Sequence, residues 1–435
     1  MQERMSDPEN HCPDSHWRAT APHLPVFPPL TGEAEADVAI VGAGYAGLNA
    51  ALELAERHGI RAVVLEAAQP GWGASGRNGG FCCLGGAMIG EAQIARRHGA
   101  QAAADWHRYE RAAIERVRDN LARYDIDADA GPEGEVKLAH SPRAMDALRA
   151  EAVAGDTLLS PGDLAARGLG GRFHGGLFTP VGFPLHPLKY ARGLARATLR
   201  AGVRLHGGSA VTALRRDGQG WRLVTAGGML RARRVLWATN AYSPEPILPW
   251  LRGRILPVTS AIMVTRPLTG AERDAQGWTS RIMAYDTRRV LHYFRLLPCG
   301  RFLFGGRGSA SSRPAAQAAF QAVLRADFEA LFPAWAGVES VSYWSGQACL
   351  TGSALPWLGA VPGQAGLYVA LGWHGNGVAA ASEGGRRIAG AMLGDAGAVP
   401  PVLTRRPRPM VPPVLRPLAL RAGLGVARLM DGPLR

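Results

Sequence analysis

Lysine is almost missing from this chain. Of 49 basic residues only Lys137 and Lys189 are lysines, and the rest are arginines. With 35 acidic residues the formal net charge is +14. A balance this basic can draw nucleic acid, acidic lipid or acidic substrates to a surface. Basic blocks are missing too. The densest run is "RRPRP" at 405–409, in a proline-rich tail. Without a clustered patch the charge reads as spread around the surface, and no nucleic-acid partner is expected. Cysteine is scarce. Cys12, Cys82, Cys83, Cys299 and Cys349 show no metal-ligand spacing and no disulfide framework, which suits a reducing cytoplasm, and no metal is expected. The adjacent Cys82 and Cys83 could close only a strained disulfide, so they read as buried free thiols. No stretch reaches the roughly eighteen apolar residues of a membrane span. His11, Asp14, His16 and Arg18 also break up the leading segment where a signal peptide needs a continuous apolar core.

What remains is a globular composition, 47% apolar, in a chain of 435 residues. That length exceeds one ordinary core, so two domains are expected. Residues 1–35 read as an extended leader with Pro22, Pro25, Pro28 and Pro29. Then "DVAIV" reads as a strand. "AGLNAALELAERHG" reads as a helix, with Leu48, Ala51, Leu52 and Ala55 on one face and Gly59 as its stop. "RAVVLE" reads as a second strand, which completes a βαβ start. Residues 91–124 look helical. From 203 the pattern turns to short strands, and 282–307 holds three more, "RIMAYD", "VLHYFRLLP" and "RFLFGGR". "GLYVALGWHGNGVAAASEGGRRIAGAML" (366–393) reads as strand, glycine loop and helix, and the prolines of 400–417 imply an extended tail.

Glycine is what the chain has in plenty, and its placement carries chemistry. Gly42, Gly44 and Gly47 form G-x-G-x-x-G between the first strand and its helix. The first permits a tight turn, the second lets a pyrophosphate approach the backbone, and the third lets helix and strand pack closely. The helix N-terminus then offers unpaired N–H groups to phosphate. Glu66 ends the next strand, where a carboxylate accepts hydrogen bonds from ribose hydroxyls. Together these say dinucleotide, without choosing between NAD and FAD. A second glycine loop, "GWGASGRNGG" (71–80), follows directly. Its small residues let backbone pass close to a longer, permanently bound cofactor. Ser75, Gly76, Arg77, Asn78 and Gly79 are the candidate contacts, with Arg77 neutralising charge. This favours FAD.

At this point the chain resembles the FAD-dependent D-amino-acid-oxidase superfamily, in the branch of gamma-glutamylputrescine oxidase-like amine oxidoreductases. The resemblance runs through "SHWRATAP", the dinucleotide turn, "GWGASGRNGG", "LHPLKYARGLARA", "VLWATNAY", "YFRLLPCGRFLFGGR", "LPWLG" and "GLYVALGWHGNGV". It implies an α/β fold (α+β overall), with a Rossmann-like FAD-binding domain and a discontinuous mixed-sheet substrate domain. The FAD domain would take residues 36–90, 180–255 and 345–398. The substrate domain would take 91–179 and 256–344, and 399–435 would be a proline-rich basic tail. Val211 would lie beside the adenine. Gly372, Gly375, Gly377 and Val378 would form the loop and helix start at the flavin. The implied reaction is hydride transfer from a carbon beside nitrogen to flavin N5, giving an imine that hydrolyses, with O2 or another acceptor taking the electrons.

Departures from the family pattern locate the candidates for substrate contact. His374 stands where relatives have a small residue, and Asn376 where they have histidine. Trp373, His374, His292 and Arg295 are therefore the candidates at the substrate and flavin face. The lysine that holds a carboxylate in the sarcosine-oxidase branch is replaced by Val378 and Ala379, with Arg295 or Arg307 as possible substitutes. Cys349 misses the place of that branch's covalent attachment, which falls near Gly346, so non-covalent FAD is expected. Lys137 and Lys189 are both expected away from the flavin ring, and slow reaction of the reduced enzyme with O2 with them. Two other functions compete: a flavoprotein acting on a modified RNA base, and a non-catalytic FAD-binding partner protein.

Overall fold

The computed structural model describes residues 14–309 and 314–434. Cys12 and the expectations placed on it lie outside them. Two eight-stranded sheets organise the chain. In the first, Gly32–Val41 lies between Ala62–Leu65 and Gly228–Trp237, all parallel. Arg204–His206 extends the sheet beyond Ala62–Leu65, and Leu367–Leu371 beyond Gly228–Trp237. The alternation expected of a half-exposed strand is absent from Ala62–Leu65, which is buried on both faces, as a parallel sheet covered by helices requires.

The helix Tyr45–His58 starts straight from the glycine turn. It stops at Gly59, whose φ of 61° lets its N–H close back on Ala55 and Leu54. Helix Gly377–Met392 packs across it on Ala379, Ala380 and Ala381. Helix Ala100–Arg123 completes this layer through Trp106, Tyr109, Ala113 and Val117, with the Tyr109 hydroxyl donating to the Ala380 carbonyl at 2.6 Å. Residues 91–123 thus share the first sheet's core and not the second's, unlike the expected division. An apolar face at helical spacing shows that a helix packs, but not on which sheet.

The second sheet runs Ser340–Thr351, Ile255–Pro267, Arg301–Ser309, His292–Leu296, Met283–Asp286, Glu135–Leu138, Gly176–Thr179 and Thr157–Leu159. Only Met283–Asp286 and Glu135–Leu138 pair in parallel. One face buries Phe294, Phe302 and Phe304 against Phe328, Phe332 and Trp335 of the following helix and turn. Each such side chain contributes about 1.5–3 kcal/mol. The opposite face looks toward the first sheet. The expected return to the FAD domain at 345 falls inside Ser340–Thr351, a strand of this second sheet.

The ends also differ from expectation. The leader contains a short helix, His16–Thr20, capped by Ser15, and the first strand already begins at Gly32. The tail is not extended throughout. Arg416–Asp431 is a helix, and it tolerates Pro417 because that residue sits in its first turn, where a missing N–H removes no helical bond.

Candidate active site

A cavity of about 930 Å³ lies between the strand ends of the first sheet and the open face of the second. The first glycine turn forms one end. Gly42 has φ +104°, and a Cβ there would sit 3.0 Å from the Ala238 carbonyl oxygen. At Gly44 a Cβ would meet Ser75 Oγ at 2.8 Å. Both glycines line the cavity, whereas Gly47 does not. A Cβ on Gly47 would fall 1.9 Å from the Gly42 carbonyl oxygen, so that glycine serves the packing of helix on strand. Glu66 is fixed at the wall by two backbone N–H groups, Ala43 at 2.7 Å and Ala68 at 3.0 Å. Burial raises its carboxyl above the usual range against the pull of those donors. Val211 lines the same end.

The second glycine loop is tied to the first. Ser75 Oγ accepts the Tyr45 N–H at 3.0 Å, at the start of the helix. Asn78 donates to the Ala74 and Ser75 carbonyls and accepts from Gly80 N–H at 2.8 Å, which holds the loop in shape. The leader reaches this loop too, with the Trp17 indole donating to the Asn78 carbonyl at 2.9 Å. Arg77 donates to Trp72 O at 2.7 Å and Ser345 O at 3.3 Å, with its guanidinium 4.2 Å from the Trp72 ring centre. Ser75, Arg77, Asn78 and Gly79 line the cavity. Gly76 lies behind them, against the Gly71 carbonyl.

The third loop closes the middle. Trp373, Gly375, Asn376, Gly377 and Val378 line the cavity, but Gly372 and His374 do not. His374 has φ +50°, and its ring turns into the protein toward Thr351 Oγ1 at 3.3 Å. Burial presses its pKa down to about 4, so it stays neutral. Asn376 donates to the Leu84 carbonyl at 2.6 Å and accepts from the Cys83 thiol at 3.1 Å. With its side chain occupied there, Asn376 makes no cap bond to helix Gly377–Met392, which begins at the cavity with open N–H groups.

The far wall is the open face of the second sheet, where Ser260, Arg307, Tyr293, Tyr285, Lys137 and Glu135 come together from five adjacent strands. Tyr293 and Ser260 share a hydrogen bond of 2.9 Å. Arg307 donates to the His374 carbonyl at 3.4 Å, and among the described residues no carboxylate pairs with it. Lys137 is bound by both oxygens of Glu151 at 2.7 Å. Glu135 is only 5% exposed and lies against the Cys83 thiol, and its Oε2 has no hydrogen-bond partner among the described residues. Burial raises its pKa to about 8.

Residues 37–391 match the family of FAD-dependent oxidoreductases designated DAO. The chain belongs to that family. A probable oxidoreductase OrdL of Haemophilus influenzae is 33% identical over 85% of each chain. The gamma-glutamylputrescine oxidoreductase of Escherichia coli is 30% identical over 88% of this chain and 89% of that one. Among solved structures, glycine oxidase from Geobacillus kaustophilus superposes with a TM-score of 0.68 at 23% identity, covering 83% of this chain and 95% of that one. The last likeness is one of fold.

The DAO chain is therefore FAD-dependent, and its cavity fits that cofactor. Gly42 and Gly44 leave a cradle that side chains would fill, and Arg77 Nη2 is a buried donor without a partner among the described residues. Four sequence expectations are corrected at the substrate end, and the first is His374, whose ring turns into the protein and away from the cavity. His292 points away from the cavity. Strand alternation puts it with Phe294 on the packed face, stacked on Phe304 and bonded to Asp286 at 2.9 Å and Asp327 at 3.0 Å. Arg295 shares the face of Tyr293 but is sealed off by its bonds to the Gly79 and Leu185 carbonyls and by Trp17. Lys137, expected away from the flavin ring, lines the cavity, while Lys189 is paired with Asp129 elsewhere. Glu135, Tyr285 and Asn376 were not foreseen as cavity residues. The alternation of "EVKL" was the available signal for Glu135 and Lys137, whereas their place beside Tyr285 depends on a register between strands far apart in sequence.

Proposed function

We propose that the protein oxidises the C–N bond of a small primary or secondary amine that carries a carboxylate, in the manner of an amino acid or a gamma-glutamyl amine. The observation that carries this is Arg307, a half-buried cation in the cavity wall with which no carboxylate pairs among the described residues. A partly buried unpaired charge is unfavourable, and a substrate carboxylate would relieve it with paired, charge-assisted hydrogen bonds. Bound FAD supplies the hydride acceptor. The chain's residues do the rest. Arg307 orients the substrate. Trp373 and Tyr293 exclude water. Glu135, once deprotonated, takes one ammonium proton, so an N–H bond breaks, an O–H bond forms and the amine stands neutral before oxidation. The imine product then takes up water to give a carbonyl compound and an amine.

We take the FAD to be non-covalent. Cys349 is buried in the core cluster below the first sheet, and Cys83, which does line the cavity, has its thiol pKa raised by burial, against attack as a thiolate. The described cysteines are free, which supports a reducing cytoplasm. Steady-state kinetics of Arg307→Ala test the substrate reading. KM for carboxylate-bearing amines should rise about ten-fold to a hundred-fold, with partial return in Arg307→Lys. An unchanged KM, with FAD content equal to wild type, would remove Arg307 from the substrate site.

A further inference from the structure

The C-terminal helix Arg416–Asp431 is fastened at its ends and bare along its middle. Arg416 pairs with Glu245 at one end. At the other, the two carboxylate oxygens of Asp431 accept the backbone N–H groups of Arg289 at 2.8 Å and Val290 at 2.9 Å. No residue of the helix is buried. At about 3.6 residues per turn, Leu420, Leu424, Ala427 and Asp431 form the inward side. The outward side carries Leu418 (68% exposed), Val426 (56%), Leu429 (84%) and Met430 (61%). Arg421 and Arg428, both exposed, flank this stripe. Arg405 and Arg408 are exposed in the segment before it, and from 400 to 434 the single acid is Asp431, already occupied by backbone donors.

We propose that this helix docks the protein on an anionic lipid surface, lying in the plane of the headgroups with Leu418, Val426 and Leu429 among the acyl chains and Arg421 and Arg428 on the phosphates. Charge decides the occupant. A second copy of the chain would bring the same arginines and another net charge of +14 against this face. Lipid phosphates supply the opposite sign, and a guanidinium binds them through paired hydrogen bonds. The face is a bare helix ridge, which suits a planar surface. No helix among the described residues is long and apolar enough to cross a membrane, so this one lies on the surface. Its two fastenings adjoin the cavity, since Pro244 and Leu291, beside Glu245 and Val290, both line it. Docking would therefore bring the cavity rim near the bilayer.

Flotation with vesicles tests the proposal, using the FAD-loaded full chain. The protein should float with vesicles of phosphatidylcholine plus phosphatidylglycerol, but not with phosphatidylcholine alone, and high salt should reduce the bound fraction. Combined Leu418→Gln, Leu429→Gln and Met430→Gln should lower partitioning at least about ten-fold. Arg421→Gln with Arg428→Gln should lower it as well. No residue of this helix lines the cavity, so flavin content, melting temperature and activity in solution should match wild type in both variants. Absence of flotation with the anionic vesicles overturns the proposal. So does equal flotation of the variants, or a wild-type dimer that the leucine substitutions convert to monomer.

Discussion

Arg77 carries two kinds of contact, and a substitution should separate them. Nε and Nη1 hold Trp72 and Ser345, while Nη2 has no hydrogen-bond partner among the described residues and faces the proposed cofactor contact. Arg77→Ala should weaken FAD binding by about ten-fold to a hundred-fold, read by flavin retained on ultrafiltration. Retention equal to wild type would return the loop to a purely structural role. Glu135 makes the opposite kind of statement about stability. Its folded pKa of about 8 stands above the ordinary glutamate value of 4.5, so the folded state binds the extra proton between those pH values. Stability conferred at low pH is then lost as pH rises through that window. Glu135→Gln should melt at the same temperature as wild type near pH 4.5, and should be the more stable by on the order of 3 kcal/mol at pH 8. The same variant should lose the acid limb of kcat/KM. Parallel melting curves across pH would mean that Glu135 is not held neutral by burial.

The strand His292–Leu296 shows what one residue of register decides. Its composition marked His292 and Arg295 as chemistry, yet alternation gives the cavity Tyr293 and gives the packed face His292 and Phe294. Reading the parity would have required knowing which face of the sheet was covered, and that depends on helix Pro314–Leu331 elsewhere in the chain. His292 is instead a clamp that ties the neighbouring strand Met283–Asp286 to that helix, through Asp286 and Asp327. Burial opposes its charge, but the two carboxylates prevail and raise its pKa to about 9. The stabilisation is complete below the ordinary histidine value of 6.5 and is lost as pH rises through 9. His292→Asn should lose about 3 kcal/mol at pH 6, and its melting temperature should vary less than wild type's between pH 7 and about 10. Identical pH dependence in the two proteins would contradict the clamp.

On the scale of the whole molecule, the features carried by local chemistry were legible and those carried by distant packing were not. The βαβ start, the glycine turns and Glu66 could be read because each is demanded within a few residues by backbone geometry. Most of the glycine-loop candidates do line one cavity. The side of the molecule taken by helix Ala100–Arg123 could not be read, nor could the meeting of Glu135, Tyr285 and Arg307, because each depends on sheet order set by contacts far apart in sequence. The proposed reaction is oxidation of the C–N bond of a carboxylate-bearing amine by FAD held in this cavity. The most direct measurement is anaerobic mixing of the purified holoenzyme with a panel of amino acids, gamma-glutamyl amines and simple alkylamines while the visible flavin absorbance is followed. Bleaching by carboxylate-bearing amines, with a rate that saturates in their concentration and is faster than with alkylamines of equal length, is the predicted result. Flavin that stays oxidised with every amine in the panel, or that bleaches equally with and without the carboxylate, would contradict it.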